Sequence, residues 1–451
     1  MTDKGYVKLL LPIYFQNIML SLKEILDVYV SSCYSDNVVA VIGLSNRVFN
    51  IVNILISIIV LSSCVLMNQF IGANDKEKLS NTLSVALSLS LILGIIITLV
   101  FTLFSHFFTV LLVEKSEMYE SVRIYLTIVG AGYLFYCLML VIAPIFSYWG
   151  KPRITLIINL ISVIALIMGY LILFSIGVQN EKYGVSGIAA CLFFSYLVGG
   201  GVALWYLHNF LKKNNIIFSF CIKKECYTDF LKVGVPSIGE NFSYNLSQLI
   251  ISLLSYRMDI LYLTAQLYAS NIMNLVSRYS YSYGQTMSIV VGNYVGQERQ
   301  NEVYHVCFKA IRNAICLSLP LILCTILFSN RIIGFFTSNH SVLQTAKIIM
   351  VIEGLTILSK TFNFVIGESL RASGDVFFPF LVAICTMWIV NVGGSYFLGY
   401  ILEMGIWGIC ISSYFEETIR AFVFTKRWIS KKWMKNNIVK SIYDTHDLKC
   451  K

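Results

Sequence analysis

Residues 79–108, 154–176, 184–207 and 375–400 each run past twenty residues with almost no ionisable side chain. At 1.5 Å rise per residue, a run of about 20 apolar residues spans the hydrocarbon core of a bilayer. No water is available there for backbone N–H and C=O groups, so such a run must be helical. A β-barrel would instead show short segments of alternating polarity, and these blocks do not alternate. The rest of the 451-residue chain agrees: 57% of it is hydrophobic, 13% is charged, and the mean hydropathy is +0.74. A soluble chain carries about 25% charged residues to cover its surface.

Read between charged or Gly/Pro punctuation, the chain divides into twelve helical spans. They cover 6–31, 39–70, 79–108, 118–148, 154–176, 184–208, 228–256, 262–295, 303–328, 341–370, 376–400 and 405–427. Lys and Arg set their orientation. One set of loops holds Lys4, Lys8, Lys76, Lys78, Lys151, Arg153, Lys212, Lys213, Lys223, Lys224, Arg299 and Arg371, and the C-terminal run adds Lys426, Arg427, Lys431, Lys432 and Lys435. The alternate loops hold only Lys115, Lys182, Arg257 and Arg331. The positive-inside rule then places both termini in the cytoplasm. The net charge of +10 follows from this bias. It is a topology signal rather than a nucleic-acid footprint, and it also suits anionic headgroups next to the tail. The segment from Met1 to Lys8 leads into a long helix with Lys23, Glu24 and Asp27, which is unlike a cleavable signal. The twelve Cys are scattered, mostly through apolar blocks, and read as small apolar residues rather than a disulfide framework or metal site.

The chain also repeats itself. Pro12-Ile-Tyr-Phe-Gln16-Asn17 resembles Pro236-Ser-Ile-Gly-Glu240-Asn241, Gln69-Phe-Ile-Gly72 resembles Asn293-Tyr-Val-Gly296, and Gly150 matches Gly374, all at an offset of 224. Gly184-Val-Ser-Gly187 and Gly405-Ile-Trp-Gly408 match at 221. Four ordered matches at nearly one offset argue for duplication. Six helices per copy is an even number, so both copies share one orientation, a parallel repeat suited to alternating access. The expected fold is therefore an all-α membrane protein, twelve transmembrane helices in two six-helix bundles related by that repeat. The domains expected are an N-terminal lobe over 1–208, a cytoplasmic linker over 209–227, a C-terminal lobe over 228–428 and a basic cytoplasmic tail over 429–451.

Leu11-Pro12 with Asp27, Gln69-Phe-Ile-Gly72-Ala73, Gly150-Lys-Pro, Val235-Pro236 and Leu370-Arg371-Ala-Ser-Gly374-Asp375 together resemble the multidrug and toxic compound extrusion (MATE) family. That family lies within the wider multidrug, oligosaccharidyl-lipid and polysaccharide flippase group. The resemblance spans nearly the whole chain. It implies a V-shaped pair of six-helix bundles and efflux of organic, often cationic and amphipathic, compounds driven by inward H⁺ or Na⁺. It also implies a coupling role for Asp27. The departures are specific. An Asn and an Asp or Asn often found deep in the fifth helix fall on Leu166 and Tyr170 here, and acids of the seventh and tenth helices fall on Tyr244 and Lys360.

Ionisable groups at membrane depth cost about 2.5–3.5 kcal/mol on insertion scales, so each is a candidate for function. In the first span Lys23 and Asp27 lie four apart and can pair on one face, with Glu24 beside them and Gln16 in line. A carboxylate balanced between desolvation and a nearby ammonium can take and release a proton; the bland alternative is a fixed ion pair. Glu240, one turn into the seventh span, either titrates or answers the helix dipole. Glu353, Thr356, Lys360, Asn363 and Gly367 form one stripe of the tenth span. Asn271, Asn274, Arg278 and Gln285 form another in the eighth, and Asn46, Asn50, Asn53 and Ser57 a third in the second. Such stripes either glue helices together or line an aqueous cleft. The ion-coupling candidates are thus Asp27, Lys23, Glu24, Glu240 and Glu353. The cleft candidates are Gln16, Asn50, Asn53, Asn241, Tyr244, Asn274, Arg278 and Lys360. Glu416, Glu417 and Arg420 read as a helix-surface or inter-helix network.

No P-loop, H-E-x-x-H or G-x-S-x-G motif is present, and no TVGYG filter, so neither ATP hydrolysis, another enzymatic activity nor a selective pore is indicated. The function expected is secondary active efflux by antiport with H⁺ or Na⁺, with no cofactor. The partners expected are a small-molecule substrate and the bilayer but no nucleic acid, for a monomer in a plasma membrane, the bacterial inner membrane by its short loops. The alternatives are a flippase of lipid-linked oligosaccharide or lipid, which Arg278 and Lys360 would suit, and a non-transporting receptor or scaffold.

Overall fold

The computed structural model describes residues 3–113, 118–176, 181–214, 224–258, 260–334, 337 and 339–435. The middle of the expected linker (215–223, with Cys221 and Lys223), Lys115, and the tail from 436 onward lie outside the described residues. Among the described residues every regular element is helical.

The chain divides into two compact units. The first takes residues 1–67 and 75–234. It contains α1 (Asp3–Ser32), most of α2 (Asp36–Gly72), α3 (Lys76–Leu103), α4 (Ser105–Leu112), α5 (Tyr119–Ala131), α6 (Tyr133–Tyr148), α7 (Pro152–Ser175), α8 (Glu181–Asn214) and the start of α9. The second takes residues 68–74 and 235–451. It contains the end of α2, most of α9 (Lys224–Met258), α10 (Ile260–Gly296), α11 (Gln300–Leu327), α12 (Ser329–Gly334), α13 (His340–Ser373), α14 (Phe377–Cys385) and α15 (Ile406–Ile429). A 3₁₀ turn, Lys432–Lys435, follows α15. Two of the three unit boundaries fall inside continuous helices, α2 and α9, and the third lies between α2 and α3.

The twelve spans appear within a few residues of their expected ends. Among the described residues, eight helices are apolar and long enough to cross a bilayer, and α5 with α6 makes a ninth, bent by 48°. The other three, α9, α10 and α15, are as long but more polar, because they carry the polar faces described below. Outward-facing side chains such as Ile95, Leu99, Ile164, Leu171 and Leu323 are exposed. So broad an apolar exterior suits lipid rather than water.

The repeat is visible in the backbone. Gly150 and Gly374 both adopt positive φ, at 71° and 101°. Each closes the same turn: Lys151 N–H donates to Phe146 O at 2.8 Å, and Asp375 N–H to Leu370 O at 3.0 Å. Asn74 and Glu298, again 224 apart, share φ of 55° and 60° without being glycine. Local helix ends are set by side chains. Asp75 caps α3 by accepting from Lys78 N–H, and Asn339 caps α13 by accepting from Ser341 N–H, both at 3.0 Å.

Three spans expected as continuous α-helices, the third, the fourth and the eleventh, are not, and the ninth ends at Phe328 as expected before the short α12. The third breaks at Phe104, and the same Leu-Phe-Ser sequence recurs at the offset of 224 where α11 gives way to α12 at Phe328. The serine after each break is buried. The fourth bends between α5 and α6. The eleventh widens after α14 into π-helical turns, Thr386–Gly393 and Ser395–Ile401. Gly408 of α15 lies against the backbone of Leu398 and Gly399, and Trp388 Nε1 donates to Ser243 Oγ of α9 at 2.7 Å. These two contacts pack the widened helix against α15 and α9. A π-helical turn inside an α-helix commonly marks a working region.

Candidate functional site

In the first unit, α1 presents Lys23 and Asp27, both half-buried, while Glu24 is exposed. Pro12 sits within α1, one turn before the half-buried Gln16. Asp27 Oδ1 accepts a hydrogen bond from the Tyr170 hydroxyl of α7 at 2.8 Å. Lys23 does not pair with Asp27 as its i,i+4 spacing suggests. Its ammonium lies 5.3 Å from the centre of the Tyr196 ring on α8. The reason is competition: Tyr170 takes the carboxylate, and the aromatic face takes the cation. Behind Tyr196 stand Tyr136 at 4.4 Å and Tyr133 at 6.3 Å between ring centroids, and Tyr133 stacks on Phe49 at 4.9 Å. Asn53 of α2 fixes this wall by accepting from the Tyr133 hydroxyl at 3.1 Å. Asn50, on the same helix, is exposed.

Tyr170 occupies one of the positions where the sequence departs from the family pattern, and it still serves the helix-1 acid. We expect Tyr170→Phe to cost about 1.5–3 kcal/mol, the worth of a hydrogen bond to a charged group. A thermal-unfolding midpoint equal to wild type would contradict this.

The second unit encloses a polar cavity of about 100 Å³, room for a few waters or a small cation. Tyr244 and Gln248 reach it from α9, Asn274 and Ser270 from α10, Glu353, Thr356 and Lys360 from α13, Met387 and Asn391 from the π-helical turns, and Glu416 and Glu417 from α15. Of the expected residues it thus gathers Glu353, Lys360, Tyr244 and Asn274. Arg278 is half-buried and does not line it, and Asn241 contributes its carbonyl to Asn245 instead. Glu240 lies elsewhere, in a half-buried ion pair with Arg371 at 2.9 Å, and Arg371 also holds Glu368 at 2.9 Å. The nearby Arg427–Asp375 pair, at 2.7 Å, belongs to the same basic end of the unit.

The cavity's carboxylates are each held. Ser270 donates to Glu353 at 2.6 Å, Thr386 to Glu416 at 2.9 Å, and Asn363 to Glu417 Oε2 at 2.6 Å. Arg420 sits 2.6 Å from Glu417 and 3.5 Å from Glu416. Lys360 makes no direct ion pair among the described residues. Three carboxylates therefore face two cations, so this cluster carries one net negative charge when all five are ionised. The sequence reading missed the weight of α15. Glu416, Glu417 and Arg420 are only 2%, 6% and 8% exposed. Their i,i+1,i+4 pattern inside an expected membrane span was the available signal.

The comparisons with known proteins agree with this architecture. The MatE family profile matches residues 12–171 and 236–397. "Uncharacterized transporter YisQ" of Bacillus subtilis is 25% identical and 91% of each chain is covered. "Probable multidrug resistance protein NorM" of Thermotoga maritima is 21% identical over 97% of this chain and 94% of its own. Among solved structures, a MATE protein in the bent conformation superposes with a TM-score of 0.86 at 20% identity, covering 97% of both chains. A MOP superfamily transporter from Pyrococcus furiosus, described as having a binding pocket of reverse polarity, gives 0.84 at 20% identity over 95% of both.

Proposed function

The chain belongs to the MatE family of membrane transporters, and from that premise we propose that it exports organic, amphipathic or cationic compounds by antiport with H⁺ or Na⁺. The observation that carries this reading is Asp27: a half-buried carboxylate on a membrane helix, bonded to Tyr170 and set beside an aromatic wall. Intramembrane carboxylates of this kind mark ion pathways, and aromatic faces receive organic cations. The multidrug relatives support the cargo class. In this reading the lobes are 1–208 and 228–428, the segment 209–227 links them, and both termini face the cytoplasm of a plasma membrane by the Lys/Arg bias. The protein acts as a monomer, without a cofactor.

A second reading has one observation in its favour. Lys360 lines the second unit's cavity, and a fixed ammonium there suits an anionic or zwitterionic cargo such as a lipid-linked sugar.

The test is ethidium efflux from energised cells or everted vesicles at matched expression. Wild type should export dye only with an inward H⁺ or Na⁺ gradient, and Asp27→Asn should slow export at least about tenfold, the loss of one charge-dependent step of about 1.4 kcal/mol or more. Equal export by the two proteins removes Asp27 from coupling. No dye movement by wild type brings the anionic cargoes forward.

A further inference from the structure

The placement of Lys23 carries an inference that rests on the organic-cation reading above. An i,i+4 Lys–Asp spacing on a helix favours a direct ion pair. Here the partners are separated: Tyr170 holds Asp27 Oδ1 at 2.8 Å, and the Lys23 ammonium lies over the Tyr196 ring at 5.3 Å. Tyr196 is itself backed by Tyr136 at 4.4 Å. Such a wall of tyrosine faces is the surface that would receive a quaternary or delocalised cation. In this structure it is already filled, by an ammonium from the chain itself. Meanwhile Asp27 Oδ2 has no partner among the described residues, and it lies one helical turn from Lys23.

We propose that Lys23 is a tethered cation that occupies the aromatic site of the first unit, and that an organic cation binds there by displacing it toward Asp27. Two cations cannot share one ring face without repulsion, so the incoming cargo and the Lys23 side chain exclude each other. The displaced ammonium has a nearby counter-charge in the open oxygen of Asp27. Cargo binding and formation of the Lys23–Asp27 pair are then one event. Lys23 thereby sets a threshold that a cargo must exceed, which selects large aromatic or delocalised cations over small, strongly hydrated ones.

The experiment is equilibrium binding of tetraphenylphosphonium to the purified full-length chain in nanodiscs, for wild type, Lys23→Met, Lys23→Arg and Lys23→Met/Tyr196→Leu. Removing the competing charge should tighten binding about tenfold, the scale of a partly desolvated cation–π contact. Lys23→Arg keeps a cation on the ring and should bind as wild type does. Tyr196→Leu should abolish the gain made by Lys23→Met, and Asp27→Asn should weaken binding more in wild type than in Lys23→Met. Binding by Lys23→Met no tighter than wild type overturns the inference, as does a gain that survives Tyr196→Leu. If that failure comes with gradient-driven ethidium export by wild type, the antiport reading stands alone. If Lys23→Met gains affinity but no gradient drives export, the inference stands and antiport falls. Absence of tetraphenylphosphonium binding by every variant overturns the inference, and overturns the organic-cation reading as well when wild type also exports no ethidium.

Discussion

Gly72→Ala is expected to destabilise the protein by about 3 kcal/mol, the upper range for forcing extra volume into a packed interior. Gly72 closes α2 where residues 68–74 join the second unit. A Cβ built there would collide with the carbonyl oxygen of Asn293, with the Asn293 carbonyl carbon at 2.9 Å and its Cα at 3.0 Å. All three are backbone atoms, which cannot turn aside like a rotamer. The contact is reciprocal. A Cβ on Gly296, the repeat mate of Gly72, would strike the carbonyl of Gln69, the repeat mate of Asn293, and sit 2.9 Å from Ala73 N. Gln69 is in turn tied to α13 by its Nε2 donating to Ala372 O at 2.7 Å. Two helices related by the duplication thus cross backbone on backbone, and only glycine permits the approach. Gly201 in α8 is the control. Nothing lies within 4 Å of its Cβ position, so Gly201→Ala should gain about 0.5–1 kcal/mol from helix propensity. Thermal unfolding in one detergent, followed by size-exclusion chromatography, compares the three proteins. A midpoint for Gly72→Ala equal to that of Gly201→Ala would disprove the crossing.

The reason the fold was legible in advance is visible at these same residues. Duplication leaves marks wherever backbone geometry restricts the side chain. Gly72 and Gly296 mark the crossing, and Gly150 and Gly374 mark the positive-φ turns. Length of apolar run fixed the spans, because a bilayer allows no other solution for the backbone. The breaks were less legible. Phe104 and Phe328 are ordinary helix residues, and nothing local forbids them from continuing; the serines that follow them, Ser105 and Ser329, are buried by tertiary packing. The π-helical stretch is harder still. Its packing partners, Gly408 of α15 and Ser243 of α9, lie on other helices and carry no local signal. The candidate site divides the same way. A stripe such as Glu353, Thr356 and Lys360 is a local periodicity and can be read from one helix. Which partner each group takes is tertiary: Tyr170 rather than Lys23 meets Asp27, and Arg371 rather than the cavity meets Glu240.

Glu417 offers the sharpest separation of structure from function in the second unit. Its removal by Glu417→Ala should destabilise the protein by about 3–5 kcal/mol, the cost of breaking a buried ion pair. Arg420 would lose its 2.6 Å partner, and Asn363 would lose one of its two acceptors. Glu416 stands 3.5 Å from Arg420 Nε and can take over part of the charge, which places the expected loss toward the lower end. The paired replacement Glu417→Leu/Arg420→Met removes both charges together, and such exchanges are often neutral or stabilising. It leaves Lys360, Glu353 and Glu416 in the cavity with their net negative charge unchanged. A network that serves only packing would then leave gradient-driven ethidium export intact. We expect otherwise: the double variant should keep more stability than Glu417→Ala, losing only what Glu416 gives up with its 3.5 Å Arg420 partner, yet export at least about tenfold more slowly, because Glu417 faces the cavity beside Lys360. Export at the wild-type rate by the folded double variant would assign the pair to structure alone and leave Glu353 and Glu416 as the cavity's working acids.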